Sequence, residues 1–249
     1  MTRPLVDHFR EHGWVVVDVL PPATVAALPR WADEIASLPD GDNGVLQHFE
    51  GTDHGPMLCR SEDFVPAHAA LRDLLCTGPL AETAAAFLGE PAVLYKEKIN
   101  YKLPGGAGYS PHQDAPAYPM LDRHVSAMVA IDDADDGNGG LEVVSRCFDG
   151  ILPVDDRGCI APDVAAELEW EPVRLRAGQT LWFHSKTPHR SAANHSTRPR
   201  RALYPTYNAA REGDLRAAYY EAKRAVFADA PDGDRVRVSL IGDFEGRPV

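Results

Sequence analysis

After Gly89-Glu90-Pro91 the chain becomes a succession of short β-type runs, and nothing else in the sequence constrains its fold as strongly. Residues 92–102, Ala-Val-Leu-Tyr-Lys-Glu-Lys-Ile-Asn-Tyr-Lys, alternate with the two-residue period of a strand. Further runs follow at 124–132, 140–147, 173–176, 180–184 and 202–208, separated by turn residues. Many short strands in this arrangement predict a sandwich or barrel.

Ahead of them the spacing is mostly helical. Residues 5–12 predict an amphipathic helix stopped by Gly13, then a strand over 14–20. Residues 24–38 predict a helix kinked or started at Pro29. Residues 40–60 read as a glycine-bearing loop with surface histidines at His48 and His54, and 65–88 as two helices parted at Gly78-Pro79. Beyond the β region, 213–230 predicts a helix and 235–241 a last strand. The expectation is one domain over 1–249: a helical part to about residue 90, a β-barrel core over about 91–210, and a C-terminal helix and strand. A length of 249 residues suits one domain.

The net charge of −12 argues against a sequence-independent nucleic-acid binder, so an anionic ligand must be held by local basic clusters. The four cysteines form no close pair and read as free thiols. The N-terminus has no apolar signal region, and no run approaches the ~18 apolar residues of a membrane span. A cytoplasmic protein with no membrane or nucleic-acid partner, monomeric or a small homo-oligomer, is expected.

Two segments carry chemistry. Ser110-Pro111-His112-Gln113-Asp114 follows a glycine-rich run. In extended chain His112 and Asp114 share a face while Gln113 points away. An imidazole and a carboxylate delivered together are two of the three ligands of a facial triad for non-haem Fe(II). Further on, Thr180-Leu181-Trp182-Phe183-His184-Ser185-Lys186-Thr187-Pro188-His189-Arg190-Ser191 offers two candidates for the third: His184 on an apolar strand, suited to a core or pocket wall, and His189 at the start of the next segment. Arg200 stands eleven positions after His189, in an arginine cluster that by itself reads more readily as surface charge than as a clamp for a carboxylate, though the guanidinium fork suits the latter.

His112-x-Asp114, His189 and Arg200, in this order and spacing, resemble the phytanoyl-CoA dioxygenase superfamily of Fe(II)/2-oxoglutarate oxygenases. Asp136-Gly137-Asn138-Gly139-Gly140-Leu141-Glu142 resembles the family's approach to its next strand, and the likeness runs from about Phe9 to Asn208. It implies a mainly β fold with flanking helices, a double-stranded β-helix of the jelly-roll or cupin type. It implies Fe(II) on His112, Asp114 and His189, 2-oxoglutarate on the metal and Arg200, and O2 as the second co-substrate. Asn100 and Ser191 match positions that contact 2-oxoglutarate in such enzymes. One departure is Val143-Val144-Ser145-Arg146 where many members have a Pro-Gly-Ser-His turn, a difference that bears on substrate choice. Related halogenases lack the carboxylate; Asp114 is present, which favours hydroxylation.

For the substrate, strand alternation would put Lys96, Lys98 and Lys102 on one face with Asn100. Two readings stand: an inward face needing anionic partners, or a face at the barrel mouth relieved by solvent and acids. Tyr118 and Tyr109 suit either a pocket wall or the core. Tyr204-Pro205-Thr206-Tyr207-Asn208, Glu212-Gly213-Asp214-Leu215-Arg216 and the segment from Lys96 to Tyr118 resemble the bacterial subgroup that includes 2-aminoethylphosphonate dioxygenase. A small anionic metabolite is therefore expected, first an alkylphosphonate such as 2-aminoethyl- or 2-hydroxyethylphosphonate, with Lys96, Lys98 and Tyr118 as its contacts. The alternatives are a natural-product tailoring hydroxylase or desaturase, and a metabolite-binding barrel without turnover.

Overall fold

A computed structural model describes residues 1–41, 44–228 and 238–249. The N-terminal part holds α1 (Arg3–His12), β1 (Trp14–Val17), α2 (Pro22–Ala36), β2 (Leu46–Thr52), β3 (Gly55–Glu62), α3 (Ala69–Cys76) and α4 (Pro79–Leu88). Then come β4 (Ala92–Lys102), β5 (Tyr109–His112), β6 (His124–Ala130), β7 (Leu141–Val144), α5 (Pro162–Ala166) and β8 (Trp170–Val173). The chain continues through β9 (Thr180–His184), β10 (His189–Ser191), β11 (Arg200–Ala209) and α6 (Arg216–Ala228).

Local chemistry sets several of these boundaries. Gly13 ends α1 in the left-handed region at φ 80°, where its N–H returns to the Phe9 carbonyl at 2.8 Å. Pro79 opens α4 at a first turn that has no need of its missing N–H. Pro29 neither starts nor breaks α2, which runs through it.

The strands form two antiparallel sheets, one in the order β1-β9-β6-β11-β4-β3-β2 and the other β5-β10-β7-β8. This is the double-stranded β-helix expected from the sequence. One apolar cluster joins the helices to the larger sheet through Phe9, Leu28, Ile35, Leu75, Phe87 and Trp182. A second, including Met128, Leu141, Val143, Leu181 and Phe183, draws on both sheets. The helices thus seal one face of the large sheet, and its other face meets the small sheet, where the polar site lies.

Three sequence expectations need correction. Residues 40–60 are no loop: β2 and β3 pair as a hairpin across Thr52 and Gly55 and extend the large sheet beyond β4. His48, on β2, is accordingly buried, whereas His54 at the turn is exposed. The final strand expected over 235–241 lies partly outside the described residues, and 238–241 form bends. The strand placed at 173–176 is found earlier, at Trp170–Val173. No helix among the described residues is long and apolar enough to cross a membrane.

Candidate active site

β5 and β10 are neighbours in the small sheet with His189 directly opposite His112, and their ring centroids are 4.1 Å apart. The strand ends at His112, so Asp114 does not reach the site by strand alternation. It sits in helical conformation (φ −69°, ψ −30°) at the start of a short 3-10 turn, which swings its carboxylate back beside the histidines. Gln113 faces away and ties down neighbouring loops through Lys186 O at 2.6 Å and Leu152 N at 2.8 Å. One donor atom each from His112, Asp114 and His189 lies within 4.8 Å of the others, and all three residues are buried.

The surroundings prepare these atoms for a cation. The Nδ1 of His112 is 2.7 Å from the Ser110 carbonyl and that of His189 is 3.1 Å from the Thr187 carbonyl. Each Nδ1 therefore carries the proton, which leaves Nε2 with its lone pair. Burial, with His112 beside it, pushes His189 down to about 4, so the ring is neutral near pH 7. Burial opposes charge on Asp114, but the neighbouring His189, Lys96, Lys98 and His112 prevail and hold its carboxyl below the usual range. Ser126 donates to Asp114 Oδ2 at 2.7 Å and fixes the carboxylate. Two imidazoles whose Nδ1 atoms are engaged by main-chain carbonyls, with a carboxylate and open space beside them, fit Fe(II). His184, the other candidate, lies outside this group and accepts from its own turn at Lys186 N, 3.1 Å away.

Arg200 opens β11, opposite Lys102 at the end of β4. It is fully buried; Nη1 donates to the Tyr204 hydroxyl at 2.9 Å, and Nε has no hydrogen-bond partner among the described residues. Lys102 is also buried and donates to Ser191 Oγ at 2.7 Å and Ala192 O at 2.5 Å. Burial, with Arg200 nearby, lowers its amine to about 6. A buried guanidinium with an unfilled donor, beside an amine that an incoming anion would hold protonated, fits a carboxylate. The loop between β10 and β11 is pinned beside them: the buried Asn194 donates from Nδ2 to Lys102 O at 2.9 Å and to Arg198 O at 2.7 Å, and its backbone exchanges bonds with Gly105 and Gly106.

Gly139 serves the same corner. At φ +75° an added Cβ would lie 2.5 Å from Ala192 O and 2.7 Å from Lys102 Cδ. Gly139→Ala should therefore lower the thermal midpoint, with a cost of about 1–3 kcal/mol from backbone strain. A melting curve superimposable on that of the parent protein would contradict this.

Lys96, Lys98 and Asn100 all line the cavity beside the triad, with His112, Asp114, His189, Ser191 and Tyr204, which decides between the two readings of the lysine face. Lys96 is buried and contacts the Tyr118 hydroxyl; Lys98 is half-buried, 5.3 Å from the Tyr204 ring centroid. Neither makes an ion pair among the described residues. Burial lowers Lys96 to about 8, and burial together with Arg60 and Lys96 takes Lys98 well down. Asn100 also reaches the site, where its Oδ1 accepts from Arg60 Nε at 2.9 Å.

The hairpin brings residues that the loop reading missed. Arg60 on β3 also donates to the Tyr109 hydroxyl at 3.1 Å, and Glu62 pairs with Lys223 of α6 at 2.6 Å and with Arg60 at 3.4 Å. His48 stands 3.6 Å from Glu62 instead of at the surface. The signal for them was two extended runs meeting at Asp53-His54, a two-residue hairpin turn. Asp243, on the irregular C-terminal tail, also lines the cavity and had no such signal.

The phytanoyl-CoA dioxygenase (PhyH) family model matches residues 9–202. The chain is 42% identical to a methylphosphonate hydroxylase of Gimesia maris, covering 100% of this chain and 97% of that protein. It is 34% identical to a 2-aminoethylphosphonate dioxygenase of an uncultured bacterium, over 94% of this chain and 91% of the relative. Among solved structures, EctD from S. alaskensis with 2-oxoglutarate and 5-hydroxyectoine superposes with a TM-score of 0.71 at 19% identity, covering 85% of this chain and 77% of that one, a likeness of fold.

Proposed function

Because this chain belongs to the phytanoyl-CoA dioxygenase family, we propose that it hydroxylates a small alkylphosphonate at the carbon beside phosphorus. It is an Fe(II)- and 2-oxoglutarate-dependent dioxygenase, and its substrate is a small molecule. The observation that carries the phosphonate reading is the pair Lys96 and Lys98, whose amines line the cavity beside the triad and form no ion pair among the described residues, so that an incoming phosphonate would hold them protonated. Both names among the relatives that cover nearly all of this chain, a methylphosphonate hydroxylase and a 2-aminoethylphosphonate dioxygenase, support it.

In this reading His112, Asp114 and His189 hold the iron, which when bound couples the oxidative decarboxylation of 2-oxoglutarate to cleavage of a substrate C–H bond. One oxygen atom of O2 ends in the substrate hydroxyl and the other in succinate, with CO2 released. Arg200 grips the far carboxylate of 2-oxoglutarate, and Lys102 with Ser191 completes that end. Lys96 and Lys98 clamp the phosphonate and present the adjacent carbon to the metal side, while Tyr118 positions Lys96. Burial of these groups keeps water from competing with them.

Anaerobic Fe(II) and 2-oxoglutarate should give the visible charge-transfer band of the chelate, and a phosphonate panel in air should give succinate matched by a product heavier by one oxygen. Lys98→Met should raise KM for the phosphonate roughly 10- to 100-fold, the worth of one charge-assisted contact. Succinate coupled only to a substrate without phosphorus would overturn the assignment.

A further inference from the structure

Asp243 has no task in the reaction as described. The tail that carries it is held on both sides: Gly242 N–H donates to Arg157 O at 2.8 Å and Ser110 N–H donates to Asp243 O at 2.7 Å. Beyond it Glu245 N–H donates to Gly108 O at 3.1 Å, and the Phe244 ring lies 5.3 Å from that of Tyr109. With the backbone fixed, the side chain turns inward and is 6% exposed. Its Oδ2 stands 3.4 Å from His112 Nε2, and its Oδ1 has no hydrogen-bond partner among the described residues. An unfilled buried carboxylate oxygen is costly to keep unless something binds there.

The charges around the cavity say what that something is. Glu62 is taken by Lys223 and Arg60. Asp114 belongs with the histidines. What remains is two amines on β4, Lys96 and Lys98, which a bound anion would hold protonated, and one carboxylate on the tail, Asp243, lining the same space. A ligand bearing an anion alone would satisfy the lysines and leave Asp243 Oδ1 without a hydrogen-bond donor among the described residues. A zwitterion satisfies both.

We propose that Asp243 receives an ammonium group of the substrate, so that the substrate class is the aminoalkylphosphonates, with the phosphonate on Lys96 and Lys98 and the amine on Asp243. This rests on the phosphonate reading above and narrows it. Asp243 is then a specificity residue, and the two phosphonate-directed relatives differ in the property it reads, since methylphosphonate has no amine.

The test compares three substrates with the full-length enzyme loaded with Fe(II) and 2-oxoglutarate: 2-aminoethylphosphonate, propylphosphonate (a methyl in place of the ammonium) and methylphosphonate. The parent enzyme should favour 2-aminoethylphosphonate over propylphosphonate by about 30-fold in kcat/KM, the scale of one charged hydrogen bond. Asp243→Asn should collapse that ratio towards one, with the change appearing in KM for the amine. Equal use of the three by the parent enzyme, or a ratio unchanged in Asp243→Asn, would overturn the ammonium site while leaving the phosphonate reading intact. Loss of the anaerobic chelate band in Asp243→Asn would place Asp243 in the metal site and overturn the proposal in another way. Absence of turnover with every phosphonate would overturn the broader reading, and this one with it. The comparison on the parent enzyme stands even if the variant does not fold.

Discussion

Asp114→Ala is expected to abolish the anaerobic Fe(II)/2-oxoglutarate band and to reduce substrate-coupled succinate formation by at least roughly 10³-fold, a transition-state loss of about 4 kcal/mol. The two histidines that remain supply only nitrogen donors, so the site loses both its third ligand and that ligand's negative charge. Ser126, which now donates to Asp114 and contacts Thr206, would keep only the latter partner. Lys96 and Lys98, side by side on β4, would lose the carboxylate whose charge they share, so iron affinity should fall further than the count of ligands suggests. Metal content after anaerobic loading, read beside the band, separates lost binding from lost chemistry. A variant with parental band and turnover would remove Asp114 from the ligand set.

Arg200→Ala should act on 2-oxoglutarate and much less on iron. The guanidinium is wholly buried at the start of β11, and truncating one partner of a buried charged pair costs about 2–5 kcal/mol. The KM for 2-oxoglutarate should therefore rise roughly 30-fold or more, with the iron stoichiometry retained. Arg200→Lys should recover only part of this, because an ammonium cannot reproduce the two-pronged contact. An unchanged KM would mean that the carboxylate is held elsewhere, with Lys102 the first alternative.

The residues proposed for the metal and the co-substrate could be picked out of the sequence because each sits on or beside a strand of clear period. The alternation of 92–102 put Lys96, Lys98, Asn100 and Lys102 on one face, and the structure turns that face inward. His112 and Asp114 were paired for a partly wrong reason: the strand stops between them, and a 3-10 turn does what alternation was expected to do. The hairpin Leu46–Glu62 was hidden because its glycines and histidines look like loop chemistry, while its pairing to β4 is a long-range contact that local composition does not encode. Asp243 was harder still. It has no period around it, and its place depends on where Ser110 and Arg157 lie in space.

The pinned turn around Asn194 has a consequence for which keto acid the enzyme can use. His189 opens β10 in the small sheet and Arg200 opens β11 in the large one, so the gap between the proposed metal site and the guanidinium is set by how two sheets are clasped. Asn194 is the clasp, binding the end of β4 from the side of the turn. In the reading proposed above, the enzyme gauges the length of its dicarboxylate with main chain, as a caliper does, and the reach of any single side chain contributes little to that measurement.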